Sequence, residues 1–365
     1  MPESGHENKP LAQDAAASPA NSTLTDDPGA RHSGFSETGE QLIRRAPTGY
    51  LWNQAGAIWL FISLLLFEVV IRRSLSGSDT NTFDLISTIA NLGFYIASLG
   101  LSSAGTVFLP RALAEGGPAL ARSLANRLLL IRTAVTLTVG AAIIWGLPAL
   151  AALVESTGWQ QGTAFAHSYT VQQMMDHRVI IAAYVVCIGV SNLLSALLIA
   201  LVYTRIVFII GSLGQLLLLA LAVVFVHPMN FGVDGALAAQ ALPAALTTFA
   251  FIIALRYVLR AKASSKGYHI LRPTLRLAVA SWLADLPNAS LVQPVAIGQL
   301  AAVAPTELRF FKSTYQMGDA GARFFTDGLG GISMASMSVS YEGGLSPLAI
   351  SWRTVSKLQV LLAGL

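Results

Sequence analysis

Long apolar runs, each about 20 residues and almost free of charge, recur along the sequence after a polar beginning. A helix of about 20 apolar residues crosses the hydrocarbon core of a bilayer, and soluble domains do not carry repeated runs of that length. The composition agrees, since 54% of the residues are hydrophobic and the mean hydropathy is +0.60. The sequence therefore predicts an all-α integral membrane protein and argues against the soluble alternative, an apolar α/β enzyme.

About nine transmembrane segments can be placed on these runs. The predicted spans are 51–71, 84–109, 125–153, 179–203, 206–226, 234–257, 277–303 and 312–340, with a ninth that starts near Trp352 and is cut off at Leu365. Residues 1–47 are rich in Ser, Asp, Glu, Pro and Gly, and no apolar core follows within the first 30 residues. We expect them to form a disordered cytoplasmic tail rather than a signal peptide.

Basic residues predict the orientation, because the cytoplasmic loops of membrane proteins are enriched in Lys and Arg. A cytoplasmic N-terminus puts the stretch RYVLRAKASSKGYHILRPTLRLAV inside the cell, together with Arg111, Arg122 and Arg205. We expect this stretch to anchor the topology and to contact anionic lipid headgroups. A pI near 9.3 follows from such anchoring, so no nucleic-acid partner is expected. The predicted location is the cytoplasmic membrane, crossed several times.

The segments before and after the basic stretch repeat each other weakly. Phe83 aligns with Phe310, and Glu115-Gly116-Gly117 aligns at the same offset with Glu342-Gly343-Gly344. This pattern predicts two lobes related by duplication. The predicted parts are a six-helix N-terminal lobe at 48–257, an inter-lobe loop at 258–276 and an incomplete second lobe at 277–365.

Two stretches resemble a known family. LWNQAGAIWLFISLLLFEVVIRRSL and YIASLGLSSAGTVFLPRALAEGG are similar to the first spans of the oligosaccharide (lipid-linked repeat-unit) flippases, which belong to the multidrug/oligosaccharidyl-lipid/polysaccharide exporter superfamily. The resemblance implies twelve or fourteen spans in two lobes around a central cavity that opens to each side in turn. By the repeat offset, Leu365 falls inside a helix. We therefore expect a truncated second lobe, and a nine-span protein ending in a short buried helix is the alternative.

Motifs for covalent chemistry are missing from the sequence. It contains no phosphate loop of the Gly-x-x-x-x-Gly-Lys-Ser/Thr type, no His-Glu-x-x-His and no Cys-x-x-Cys. Cys187 lies alone in an apolar run, where it is expected to be a small buried hydrophobic residue. His167 and His177 are expected to be solvated or interfacial rather than metal ligands. The sequence thus predicts a protein that is not an enzyme and has no cofactor or metal.

Polar residues inside the predicted spans are candidates for a substrate cavity, because burying them in lipid is costly unless they meet a partner or water. Asp285 is the strongest, since Pro287 and Pro294 interrupt its span and Asn288 and Gln293 add hydrogen-bonding groups. This bend either lines a cavity or is satisfied by neighbouring helices. The amides Asn53, Gln54 and Asn91 join it as candidates; Asn192, Gln215 and Gln240 complete a diffuse set in which helix-to-helix hydrogen bonds explain most members.

Charged residues in other spans have two open interpretations each. Arg323 and Asp327, spaced i, i+4, form a buried pair, or Arg323 contacts an anionic pyrophosphate. Arg132 either extends to the cytoplasmic face or lines the inward mouth of the cavity. Glu68 either pairs with Arg72 at i+4 or takes part in ion coupling.

The function that the resemblance implies is a flippase that exports a lipid-linked oligosaccharide by rocking of two lobes. Such a protein acts in polysaccharide biosynthesis or lipopolysaccharide export, with membrane lipids and a glycan polymerase or glycosyltransferase as expected partners. A proton or sodium gradient would drive it through Asp285 or Glu68. The alternatives are a cation-coupled multidrug antiporter of the same superfamily and a truncated membrane protein that does not transport.

Overall fold

The computed structural model describes residues 28–156, 168–260 and 268–286, together with the isolated positions 314, 318 and 357. Every element in these ranges is a helix, which confirms the predicted all-α class for this part of the chain. The helices are α1 (Pro28–Ser74), α2 (Gly77–Ser98), α3 (Leu101–Ser156), α4 (Ser168–Ala200), α5 (Thr204–Val226), α6 (Gly232–Val258) and α7 (Tyr268–Leu286). The predicted eighth and ninth spans lie outside the described residues.

Five stretches of the described chain are long and apolar enough to cross a membrane. They are Thr48–Ser74, Thr82–Ala149, Met175–Ala200, Thr204–Val226 and Gly232–Val258. Four of them agree with predicted spans to within a few residues, and the stretch from Thr82 to Ala149 combines two. The chain is therefore a multispanning membrane protein.

The stretch from Thr82 to Ala149 holds 68 residues, and a straight helix of that length would extend about 100 Å. Two breaks divide it. Leu99 and Gly100 have positive φ angles of 45° and 62° and separate α2 from α3, and Gly117 interrupts α3 at a φ of 64°. The prediction of one continuous span over 84–109 is therefore wrong, because the backbone turns at Leu99–Gly100 inside that range.

Two helices begin earlier than predicted. α1 starts at Pro28, so the backbone of residues 28–47 is helical where a disordered tail was predicted. Proline suits this position, since the first turn of a helix has no internal acceptor for its N–H groups. α7 starts at Tyr268, within the predicted inter-lobe loop. Its residues Ile270, Thr274 and Ala278, spaced four apart, form a buried face, and this packing extends the helix.

The described helices pack around two cores at opposite ends of the bundle. One core includes Phe67, Ile71, Phe83, Ile181, Ala222 and Val233. The other includes Leu109, Leu124, Leu197, Leu255, Ile270 and Ala278. The chain runs from the first core to the second through α2 and the first part of α3, and it turns back at Gly117. The C-terminus of α1 and the N-termini of α2, α4 and α6 lie on the side of the first core.

The two ends differ in charge. The end around the second core, called here the basic end, carries Arg111, Arg122, Arg127, Arg205, Arg256, Arg260, Arg272 and Arg276, and the acid among its described side chains is Glu115. Two contacts connect helices at the basic end. The Arg205 guanidinium lies over the Trp52 ring, 5.7 Å from its centroid, and His269 Nε2 lies 3.7 Å from Glu115 Oε2. The opposite end has both signs of charge, since it carries the acids Glu68, Asp79, Asp84 and Asp234 as well as basic residues.

Candidate functional site: a broken membrane helix and its buried arginine

The break between α2 and α3 leaves backbone groups that need partners away from water. α2 ends at Ser98, and Leu99 has a left-handed backbone conformation. The last carbonyl groups of a helix receive no hydrogen bond from the helix itself. In the apolar part of a membrane such carbonyls are tolerated only where neighbouring groups satisfy them. The side chains that contact these carbonyls therefore define the site.

Arg132 of α3 is the first of these side chains. Its guanidinium donates from Nη1 to the carbonyl oxygen of Ala97, in the last turn of α2, and from Nε to the Gly189 carbonyl oxygen of α4 at 2.9 Å. The guanidinium also lies over the Phe94 ring, 5.6 Å from its centroid. A cation at a helix C-terminus is favourable, because the helix dipole is negative there. Arg132 thus caps α2 and connects three helices.

The position of Arg132 overturns both interpretations made from the sequence. Its side chain is 0% exposed, so it neither extends to the membrane surface nor lines the mouth of a cavity. It lies about four turns beyond the interruption at Gly117, too deep to reach the interface, and the break supplies carbonyl acceptors at that depth. Among the described residues no carboxylate pairs with it, and its Nη2 makes no hydrogen bond.

α7 contacts the same break. Trp282 Nε1 donates to the Tyr95 carbonyl oxygen of α2 at 3.3 Å. At Gly100 the α7 backbone comes so close that a Cβ would overlap the Ala278 carbonyl oxygen and lie 2.9 Å from the Trp282 nitrogen. Glycine is needed at this position for two reasons, since it allows both the positive φ and the close approach of α7.

A second polar group ties α1 to α2 at the opposite end. Arg72 Nε lies 3.2 Å from Glu68 Oε2, as the i, i+4 spacing predicts, and Arg72 Nη1 lies 3.1 Å from Asp84 Oδ2. The second contact is an ion pair without a well-aligned hydrogen bond. Asp84 is 1% exposed, while the side chains of Glu68 and Arg72 are 19% and 17% exposed. The Arg72 guanidinium therefore contacts two carboxylates, one of them fully buried.

Asp84 was missed by the sequence analysis. It stands at the first position of the predicted span 84–109, where an acid looks like an ordinary interfacial residue. The signal that could have identified it is the polar sequence TNTFD, with Thr80 and Thr82 on the same helix, both of which are buried. Only the packing of α2 on α1 brings it to Arg72.

The other candidates are scattered. Gln54 Nε2 donates to the Tyr50 hydroxyl at 3.0 Å within α1, and Asn53 and Asn91 are half-buried. Asn192 is exposed and accepts a hydrogen bond from Ser102 Oγ at 2.9 Å. Asp285 belongs to the last turn of α7, but its side chain lies outside the described part of the structure. The remaining candidates, Asn288, Gln293, Arg323 and Asp327, also lie outside the described residues.

Comparison with known proteins identifies the fold. No protein-family model and no curated protein sequence matches the chain. Solved structures do match 89–90% of its length, and they are transporters of the MOP superfamily, which includes the MATE family. Their identity to this chain is below 20%, so the likeness establishes the fold of a MOP-type transporter.

Three of these structures are typical. A MOP superfamily transporter from Pyrococcus furiosus, whose binding pocket of reverse polarity suggests a different function, has a TM-score of 0.65 at 19% identity, and 72% of its length is covered. A MATE protein in complex with MaD5 has a TM-score of 0.67 at 16% identity, with 73% covered. An outward-facing multidrug resistance MATE transporter has a TM-score of 0.64 at 19% identity, with 72% covered.

Proposed function

We propose that this chain is a transporter that moves a lipid-linked oligosaccharide across the cytoplasmic membrane by alternating access. The observation that carries the transport proposal is the broken membrane helix, which is contacted both by Arg132 of α3, in the predicted six-helix lobe, and by Trp282 of α7. α7 is the first helix of the predicted second lobe. Discontinuous membrane helices are common in secondary transporters, where the helix ends and unwound backbone carbonyls form substrate and ion sites near the middle of the bilayer.

The geometry indicates how the two lobes would be coupled. The arms 77–98 and 101–116 can change their angle at Leu99–Gly100, where both residues already have positive φ. Arg132 keeps the end of the first arm attached to α4 during such a change. The Trp282 bond and the close contact at Gly100 pass the movement to α7. A rotation of one arm would therefore shift the second lobe.

The lipid-linked oligosaccharide is favoured as substrate by the resemblance of the first spans to repeat-unit flippases. Polysaccharide biosynthesis or lipopolysaccharide export would be the pathway class, with a glycan polymerase or glycosyltransferase as partner. The charge difference between the two ends supports an N-terminus in the cytoplasm, because the basic end also contains Trp52 at the start of the first span.

Cation-coupled multidrug antiport is the second candidate. The buried carboxylate of Asp84 beside Glu68 and Arg72 favours it, because intramembrane carboxylates often mark ion and proton pathways. The matched structures include multidrug resistance transporters. The cluster serves either function, because a flippase also needs an energy source. The substrate distinguishes the two candidates, and the cluster does not.

The test expresses the full chain in two bacterial strains. One lacks its own repeat-unit flippase and is scored for surface glycan by lectin binding, and the other lacks its main drug exporters and is scored for ethidium accumulation. Restored glycan with unchanged ethidium is the expected result. Lowered ethidium accumulation without glycan would replace the flippase by the antiporter, and no change in either strain, with the protein in the membrane, would contradict both.

Variants at the ion-pair cluster test coupling in whichever strain responds. Asp84→Asn removes the buried charge and is expected to abolish the dependence of transport on the proton or sodium gradient. Asp79→Asn is the matched control, because Asp79 lies in the first turn of α2 and, among the described residues, the ion pairs of Arg72 are with Glu68 and Asp84. Equal effects of the two variants would exclude Asp84 as the coupling residue.

A further inference from the structure

A small cleft opens at the basic end between α3, α4 and α6. Its volume is about 50 Å³, and its lining residues are Arg122, Ala125, Asn126, Leu129, Leu194, Ile252, Leu255, Arg256 and Leu259. The lining is apolar apart from two arginines and one amide. A cleft of this size admits a phosphate-sized group together with the first carbons attached to it, and it is too small for a sugar chain.

The two arginines approach the cleft from different helices. Arg122 lies about one turn beyond the interruption at Gly117 in α3, and Arg256 lies in the last turn of α6. Among the described residues, none of those that line the cleft is an acid. Guanidinium groups bind phosphate oxygens through charge-assisted hydrogen bonds, often two at a time. The charge of the cleft therefore fits a phosphate or phosphodiester.

Both helices continue from the cleft as exposed apolar surfaces. On α3, Leu130 is 72% and Leu137 is 55% exposed, seven residues apart on one face. On α6, Leu246, Phe249 and Ile253 are more than half exposed. In a membrane protein such surfaces contact acyl chains. The cleft is thus complementary to an anionic phospholipid, with a cationic end for the headgroup and apolar flanks for the acyl chains.

We propose that this cleft binds the headgroup of one anionic phospholipid. The phosphate lies between Arg122 and Arg256, Asn126 contacts the headgroup, and the acyl chains lie along the exposed faces of α3 and α6. Basic pockets between membrane helices on the cytoplasmic side have this chemistry in general. The site is separate from the broken helix, and its occupancy does not depend on which substrate the protein transports.

Native mass spectrometry of the full chain tests the proposal. The protein is released from detergent micelles after titration with phosphatidylglycerol or with phosphatidylcholine of the same acyl chains. We expect one phosphatidylglycerol to remain bound at concentrations at which phosphatidylcholine is lost. Equal retention of the two lipids would overturn the proposal, and so would release of the bound lipid by millimolar inorganic phosphate, which would identify a site for free phosphate.

Substitutions locate the binding. Arg122→Gln with Arg256→Gln should weaken retention of phosphatidylglycerol at least tenfold. The control, Arg205→Gln with Arg276→Gln, removes the same charge from the same end outside the cleft and should retain the lipid. Arg122→Lys with Arg256→Lys keeps the charge and should also retain it, which separates lipid binding from a folding defect. Retention by the Gln pair, or equal loss in the control, would exclude this cleft.

Discussion

Gly189 offers a sharp test of the contact that holds the break in the membrane helix. A Cβ at this position would lie 2.6 Å from Thr136 Cγ2, about 0.8 Å closer than ordinary contact, which begins near 3.4 Å. The Gly189 carbonyl is also the acceptor for Arg132 Nε. Gly189→Ala therefore forces α3 and α4 apart at the level of the buried arginine.

The magnitude follows from two opposing terms. Alanine is favoured over glycine inside a helix by about 0.8–1.0 kcal/mol. Overpacking a close contact costs about 1–3 kcal/mol. Gly211 of α5 is the matched control, because a Cβ there would meet no atom within 4 Å in the described part of the chain, so Gly211→Ala has only the favourable term. The two variants should therefore differ in the free energy of unfolding by about 1–3 kcal/mol, with Gly189→Ala the less stable.

Thermal unfolding of the purified chain in one detergent, followed by tryptophan fluorescence, measures this difference. About 2–4 °C in Tm per kcal/mol is expected for a domain of 150–250 residues. Thr136→Ser then removes the clashing methyl group and keeps the hydroxyl, which donates to the Arg132 carbonyl oxygen at 2.9 Å. In the Gly189→Ala background it should raise the Tm, whereas alone it should lower it.

Equal Tm values for Gly189→Ala and Gly211→Ala would refute the close α3–α4 contact. A Thr136→Ser change that lowers the Tm equally in both backgrounds would refute the pairing of these two residues, because the double-mutant cycle would then show no interaction energy.

Two further substitutions address the break itself. Gly100→Ala should detach α7, seen as faster proteolysis between α6 and α7. Gly117→Ala, where a Cβ would meet no described atom within 4 Å, should cost only the strain of its backbone conformation (φ 64°, ψ −164°), about 1–3 kcal/mol. Equal proteolysis of the two variants would contradict the close approach of α7. Arg132→Met leaves two carbonyls without their donor at about 1–3 kcal/mol each, offset in part by the relief of a buried charge. It should speed hydrogen exchange at 97–104 and not in α5, and unchanged exchange there would exclude the capping role.

Several features were predictable because they depend on local composition. Apolar runs of bilayer length predicted the membrane helices, and the spacing of Glu68 and Arg72 indicated their ion pair as one of two interpretations of Glu68. The polar residues beyond 286 lie outside the described structure, so their placement in a cavity stays a prediction. The flippase interpretation likewise stays a proposal, because the fold is shared with multidrug transporters.

By itself the sequence determined the helical class, the membrane environment and the strongly basic character of one end, since hydropathy and charge are properties of the residues alone. Only the tertiary structure decided what Arg132 and Asp84 do. Arg132 is tolerated at membrane depth because a helix ends beside it. That helix end is created by the break at Gly100, which lies 32 residues before Arg132 in the sequence. The carbonyls and ion-pair partners of these side chains come from other helices, and the spacing of residues along one helix does not predict them.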